Sequence, residues 1–150
     1  MGDRWFVVWQ RTLVGVSGFL TLFGVLAAVA PFSLPFERRN AAIANHFLGG
    51  EWTAHAESLH AFSSGPLGGT MAGFFAIQCI VAWVPLARRE KWAWWSIAIG
   101  NGLWFGLDST ICAMHGAWFN IIEINLVSLA LVGLPLAALI PPLFYSAKQG

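Results

Sequence analysis

The sequence predicts an all-α integral membrane protein, a four-transmembrane-helix bundle with an outer amphipathic loop or helix between helices 1 and 2. The 150-residue chain is 57% hydrophobic and 10% charged, whereas a soluble domain usually carries about 25% charged residues. Its apolar residues form four stretches long enough to cross a hydrocarbon core, which needs about 20 helical residues. The basic residues between these stretches are unequally divided, as in multi-pass proteins. We therefore expect a single transmembrane domain over 1–150.

Four helices are expected from these stretches. They run over about 12–32, 67–87, 92–114 and 118–140. Arg4 and Arg11 precede the first as the basic region of a signal peptide would, but the apolar run is too long for one. Pro31 would also follow the cleavage site, so we expect this helix to be retained. Pro141 and Pro142 should end the fourth helix.

Small residues recur at helical spacing in three of these helices. They are Gly15, Gly18 and Gly24 on the first helix, Gly69 and Gly73 on the second, and Ala98, Gly102, Gly106 and Thr110 on the third. Small side chains let helix backbones approach closely in lipid. The pattern predicts a compact bundle and requires no functional site.

The segment 33–66 is expected to form an outer loop. Trp52, Ala56, Leu59 and Phe62 recur at helical spacing within it, which predicts a short amphipathic helix lying in the interface plane. Gly65 and Pro66 should form a turn at the end of this segment.

The distribution of Lys and Arg predicts the orientation. One side carries Arg4, Arg11, Arg88, Arg89, Lys91 and Lys148, and the other carries Arg38 and Arg39. The richer side should be cytoplasmic, which predicts a multi-pass protein of the cell membrane with cytoplasmic N- and C-termini. The net charge of +1 is scattered along the chain, so no nucleic-acid partner is expected.

Polar residues on the third and fourth helices mark a candidate site. Asn101, Asp108 and His115 are seven positions apart and fall on one helical stripe. Asn120 and Glu123 are three apart and share a face of the fourth helix. Each of these helices therefore offers a polar face to its neighbour.

Two carboxylates are expected at the same depth. Asp108 lies eight residues before Gly116 and Glu123 seven after it, so each should lie roughly 10–12 Å from the turn. If they face each other, one should keep its proton unless a cation or His115 compensates. Such a pair suits proton transfer or the binding of a lipophilic ligand.

The candidate roles follow from this arrangement. The expected catalytic residues are Asp108, Glu123 and His115, and the expected ligand-binding residues are Asn101, Asn120, Trp104, Cys112 and Trp118. The competing interpretation is that the two carboxylates only hold helices together.

A metal site is a weaker alternative. Glu57 and His60 form an E-x-x-H, and Glu51 and His55 are four residues apart in the same outer segment. Only one E-x-x-H occurs, whereas di-metal bundle sites use two. Solvation of an interfacial loop is the favoured explanation of these residues, and no cofactor is predicted.

Three functions remain open from the sequence. The first is a protein that binds, or transforms by acid/base chemistry, a lipophilic small molecule near the extracytoplasmic face. The second is a non-catalytic accessory subunit of a larger membrane complex, and the third is an oligomeric small transporter or proton conductor. The expected partners are membrane lipids, a lipophilic small molecule, and a membrane-protein partner or a second copy of the chain.

Overall fold

A computed structural model describes residues 2–145. Over this range the chain is helical and contains no strand. The helices are α1 (Gly2–Val29), α2 (Glu37–Phe47), α3 (Ala54–Trp83), α4 (Lys91–Met114) and α5 (Trp118–Tyr145). Helix α5 consists of one α-helical turn, a π turn over Ile121–Asn125, an α-helix over Leu126–Ile140 and a second π turn over Pro141–Tyr145.

The four long helices pack antiparallel to their neighbours. The Gln10 amide donates to the carbonyl of Ala82, which brings the start of α1 to the end of α3. The Trp94 indole donates to the carbonyl of Leu136, which brings the start of α4 to the end of α5. Leu13, Leu86, Val132 and Leu139 lie fully buried between these helices.

Helices α1 and α3 cross at two glycines. A Cβ added at Gly24 would lie 2.7 Å from the backbone N of Ala72, and one at Gly68 would lie 2.5 Å from the backbone N of Ala28. The expectation that Gly69 and Gly73 make the close contact on this helix was wrong, because a Cβ at either would meet nothing within 4 Å. The contact face of α3 is one position removed from the predicted one.

A chain of buried side-chain hydrogen bonds joins α1, α3 and α4. Gln78 Nε2 donates to Ser17 Oγ at 2.9 Å, and Asn101 Nδ2 donates to Gln78 Oε1 at 2.6 Å. All three side chains are buried. Polar groups in such a position need partners, since an unpaired one costs about 1–3 kcal/mol.

The predicted outer loop is largely helical. It contains α2 and the first turns of α3, which runs through Pro66 instead of turning there. The Thr53 side chain accepts from the backbone N–H of Ala56 and caps α3 at its start. Because the apolar spacing of this segment continues into the next stretch, one long helix forms instead of two. Proline removes only one N–H from it.

Three helices are long and apolar enough to cross a membrane, over Arg4–Val29, Ala54–Trp83 and Trp118–Tyr145, among the residues that the structure describes. The all-helical fold class is confirmed. Helix α4 is 24 residues long, but it is not one of the three candidate spans because Asn101 and Asp108 lower its mean hydropathy. The fourth predicted span is therefore not confirmed.

Charged residues divide between the two ends of the helices. Arg4, Arg11, Arg88, Arg89 and Lys91 lie at the end where α1 and α4 begin and α3 finishes. Arg38 and Arg39 lie on α2 at the opposite end. Lys148, which entered the orientation argument, falls outside the described residues.

Candidate functional site

A cavity of about 460 Å³ lies among α1, α3, α4 and α5, close to α2. Its walls are mostly apolar and include Phe19, Phe23, Met71, Phe74, Val127 and Leu131. Its polar side chains include Arg39, Asp108, Asn120, Glu123 and Asn125. Pockets for small molecules commonly have about 300–1,000 Å³ and combine apolar walls with a few convergent polar groups. This cavity has that composition.

Asp108 is the acceptor at the centre of the polar groups. Its Oδ2 accepts from Asn125 Nδ2 at 2.6 Å and from Asn120 Nδ2 at 3.3 Å. The Cys112 thiol, one turn further along α4, donates to the same oxygen at 3.6 Å. Three donors from two helices therefore converge on one carboxylate oxygen.

A π turn brings the two asparagines together. Asn120 and Asn125 are five residues apart, the hydrogen-bond spacing of a π-helix, and the turn lies over Ile121–Asn125. Asn120 Nδ2 lies 3.4 Å from Asn125 Oδ1 as a result. Asn125 is fully buried and also donates to Ser109 Oγ at 3.0 Å. In a regular α-helix these two residues would point in different directions, which is why the sequence did not indicate Asn125.

Glu123 pairs with a cation from α2. Its Oε1 pairs with Arg38 Nη2 at 2.5 Å, and no hydrogen bond joins it to Asp108 within residues 2–145. Both carboxylates line the cavity, but a cation compensates one and amide donors hold the other. The sequence-based expectation allowed for a cation that compensates one of the two carboxylates, and Arg38 is such a cation for Glu123.

Arg39 is the cavity residue that sequence reasoning missed most completely. It counted only as a loop charge, yet its side chain is half-buried and lines the cavity. Burial lowers the pKa of Arg39 from its ordinary value, and the negative charge of Asp108 opposes that shift. In the part of the chain that the structure describes, its guanidinium makes no hydrogen bond or ion pair. Arg38 and Arg39 are adjacent in the sequence, which gave no sign that Arg38 is exposed while Arg39 is half-buried.

Of the other predicted site residues, Trp104 and Asn120 line the cavity, whereas four do not, namely Asn101, Cys112, His115 and Trp118. Asn101 is engaged with Gln78 and with the carbonyl of Ile97. His115 is an exposed residue at the end of α4, where its carbonyl contacts His46 Nε2 at 3.0 Å. Trp118 is 58% exposed. Asn101, His115 and Trp118 therefore lie outside the cavity that Asp108 lines, and their roles in a functional site stay predictions.

The predicted outer metal set does not assemble among the described residues. No group of three or more His, Cys, Asp or Glu there is arranged to hold a metal ion. His60 instead packs against aromatic rings, with its ring centroid 5.2 Å from Phe32 and 5.1 Å from Trp52. Glu51, His55 and Glu57 are exposed.

Neither a protein-family model, nor a curated protein, nor a solved structure matches this chain.

The chemistry of the site follows from its division into two parts. The apolar walls come from α1, α3 and α5, and the polar end combines two carboxylates, two amides and a guanidinium. Such a cavity suits an amphiphilic molecule whose apolar part fills the walls and whose polar part meets Asp108 and its neighbours.

Proposed function

We propose that this protein is a multi-pass protein of the cell membrane that binds one lipophilic small molecule in the cavity beside Asp108. The observation that carries the proposal is the cavity itself, about 460 Å³ with apolar walls and convergent polar groups at one end. The apolar part of a ligand would fill the cavity and make contacts with its apolar walls. Asp108, Asn120, Asn125 and Arg39 would contact its polar part.

Helix α4 is proposed as a fourth membrane span. It exposes an apolar stripe at helical spacing, composed of Ile99, Leu103, Leu107, Ile111 and Met114. Its amide and carboxylate side chains face inward, where Asn101 bonds Gln78 and Asp108 bonds Asn125. A polar side chain in a membrane helix normally faces the bundle interior in this way.

We further propose that both chain termini are cytoplasmic. Among residues 2–145, five basic residues lie at the end where α1 begins, and two lie at the opposite end on α2. The richer end should face the cytoplasm. The polar end of the cavity, beside α2, then lies toward the extracytoplasmic face.

A photoactivatable analogue of hexadecanol tests the binding proposal. In detergent-purified protein it should form adducts with cavity-lining residues of α1, α3 and α5, and unlabelled hexadecanol should compete for these adducts. Labelling of the outer surface should not be saturable. Competition that is equal at every labelled position would contradict a single binding cavity.

Two matched tryptophan variants locate the site. Leu131→Trp places a large side chain in the cavity wall and should abolish the competable labelling. Leu134→Trp makes the same change at a residue that is 66% exposed and outside the cavity, so its labelling should match that of the unmodified protein. Equal labelling in both variants would place the ligand elsewhere.

A second candidate, an accessory subunit of a membrane complex, is favoured by one surface. Gly69 and Gly73 on α3 are exposed, and nothing lies within 4 Å of a Cβ at either. Glycines at this spacing let another membrane helix approach. Gly69→Leu should release a partner protein during purification in mild detergent, whereas a lone chain before and after the change would remove this candidate.

A further inference from the structure

Four charged side chains surround the polar end of the cavity, and their charges cancel. Arg38 and Glu123 form an ion pair, and Arg39 and Asp108 provide one positive and one negative charge more. Arg39, Asp108 and Glu123 are the charged residues in the cavity lining, within the described chain. The polar end is therefore neutral when all four groups are ionised.

Arg39 and Asp108 face the cavity with unused hydrogen-bonding capacity. The guanidinium has five N–H donors, and none makes a hydrogen bond within residues 2–145. All hydrogen bonds that Asp108 accepts from the described residues go to Oδ2, which leaves Oδ1 for a donor. The two side chains line the same cavity, and they do not form an ion pair with each other.

We propose that the cavity selects an uncharged single-chain lipid whose hydroxyl head bridges these two groups, donating to Asp108 and accepting from Arg39. The inference rests on the proposed function and specifies its ligand. A hydroxyl has one donor and two acceptor lone pairs, so it satisfies both partners at once. It also adds no charge to an end that is already neutral.

Electrostatics disfavour the binding of amphiphiles that have the same chain length but a charged head group. A carboxylate head would leave one uncompensated negative charge beside Asp108, and an ammonium head would leave one positive charge beside Arg39. An unpaired charge in an apolar site is costly. The volume suits one molecule with a single apolar chain, because α1, α3 and α5 enclose about 460 Å³.

Competition among three amphiphiles of equal chain length tests the selection. Detergent-purified protein is incubated with hexadecanol, palmitate and hexadecylamine at neutral pH, and bound molecules are quantified by native mass spectrometry. Hexadecanol should be bound preferentially. Preferential binding of palmitate or hexadecylamine to the unmodified protein would overturn the inference.

Variants that change the charge of the site provide the sharper test. Asp108→Asn leaves a positive charge and should raise binding of palmitate relative to hexadecanol by about tenfold. Arg39→Gln leaves a negative charge and should raise relative binding of hexadecylamine similarly. The double variant Arg39→Gln with Asp108→Asn is neutral again and should lose both effects. Each amphiphile partitions into detergent to a different extent. Comparing the ratio of bound amphiphiles between variants removes this difference.

Two control variants change the net charge of the protein away from the site. Arg88→Gln matches Arg39→Gln at the opposite end of the helices, and Glu51→Gln matches Asp108→Asn in an exposed loop. Neither should change the ranking of the three amphiphiles. A change in the ranking equal to that of the site variants would show a general charge effect and overturn the inference.

The two proposals fail in different ways. If no amphiphile shows binding that an unlabelled competitor can displace, or if Leu131→Trp has no effect on binding, the proposed function fails. If amphiphiles bind in the cavity but their ranking is insensitive to Arg39 and Asp108, only the hydroxyl-bridging inference fails. Monodisperse elution of each variant establishes that it is folded, and the ranking by the unmodified protein tests the inference even if a single variant does not fold.

Discussion

Asn125 Nδ2 donates a hydrogen bond of 2.6 Å to Asp108 Oδ2, and this contact joins the π turn of α5 to the C-terminal half of α4. Asn125 is fully buried, so its amide has no access to water as an alternative partner. The contact holds the carboxylate in the cavity wall and fixes the spacing of the two helices at this depth.

Replacing this asparagine should be costly. Asn125→Leu removes the shortest donor to a carboxylate and should lower the free energy of unfolding by about 2–3 kcal/mol. Asn120→Leu should cost less, because its contacts are 3.2–3.4 Å long. Thermal unfolding in detergent compares the two. An Asn120→Leu variant less stable than Asn125→Leu would contradict the assigned geometry.

The crossing of α1 and α3 predicts opposite effects at adjacent glycines. Gly68→Ala places a Cβ 2.5 Å from the backbone N of Ala28, so the helices must separate, and we expect a loss of about 1–3 kcal/mol. Gly69→Ala meets open space and should be neutral or stabilising by up to about 1 kcal/mol, since alanine favours a helix. Comparison of the unfolding midpoints of the two variants tests this prediction. Equal midpoints would show that the helices do not approach closely at Gly68.

The buried chain of polar groups predicts non-additive substitutions. Gln78→Leu removes the acceptor of Asn101 and should destabilise the protein by about 1–3 kcal/mol, because one amide proton of Asn101 is left without a partner. The double variant Gln78→Leu with Asn101→Leu should be less destabilised than the sum of the single variants. A double-mutant cycle on unfolding free energies measures the difference. Strict additivity would indicate that the two side chains do not interact.

Cysteine labelling tests whether α4 crosses the membrane. A cysteine at His115 should react with a membrane-impermeant maleimide from the same side as one at Glu51, and a cysteine at Arg88 from the other side only. These residues lie in exposed positions at opposite ends of the helices. The background has Cys79 and Cys112 replaced by serine, and unfolding of this background is checked first. Labelling of His115 and Arg88 from the same side would exclude a fourth span.

The sequence indicated some of the site because charge is conspicuous in an apolar chain. Asp108, Glu123, Asn120, Trp104 and Cys112 lie in or beside the cavity, and each was a polar or aromatic residue in an apolar stretch. Their actual partners were not predictable. Glu123 was expected at the depth of Asp108 with no partner assigned, and it pairs with Arg38 because α2 folds over that end of the helices.

Two of the differences from prediction have one cause, the dependence of helix faces on geometry. Stripes at seven-residue spacing placed Asn101 and His115 with Asp108, but Asn101 bonds to α3 and His115 lies exposed at the helix end. The π turn rotates Asn125 into the site, and no periodicity in the sequence marks a π turn. Predicted helix faces are reliable only where the helix remains regular.

The amino-acid sequence by itself determined that this chain is helical and carries spans apolar enough for a membrane, because hydropathy over about 20 residues needs no knowledge of neighbours. Tertiary packing alone decided which glycines touch, which carboxylate meets a cation and where a cavity remains. These properties depend on the relative rotation and crossing of helices, which are set by contacts between segments far apart in the chain.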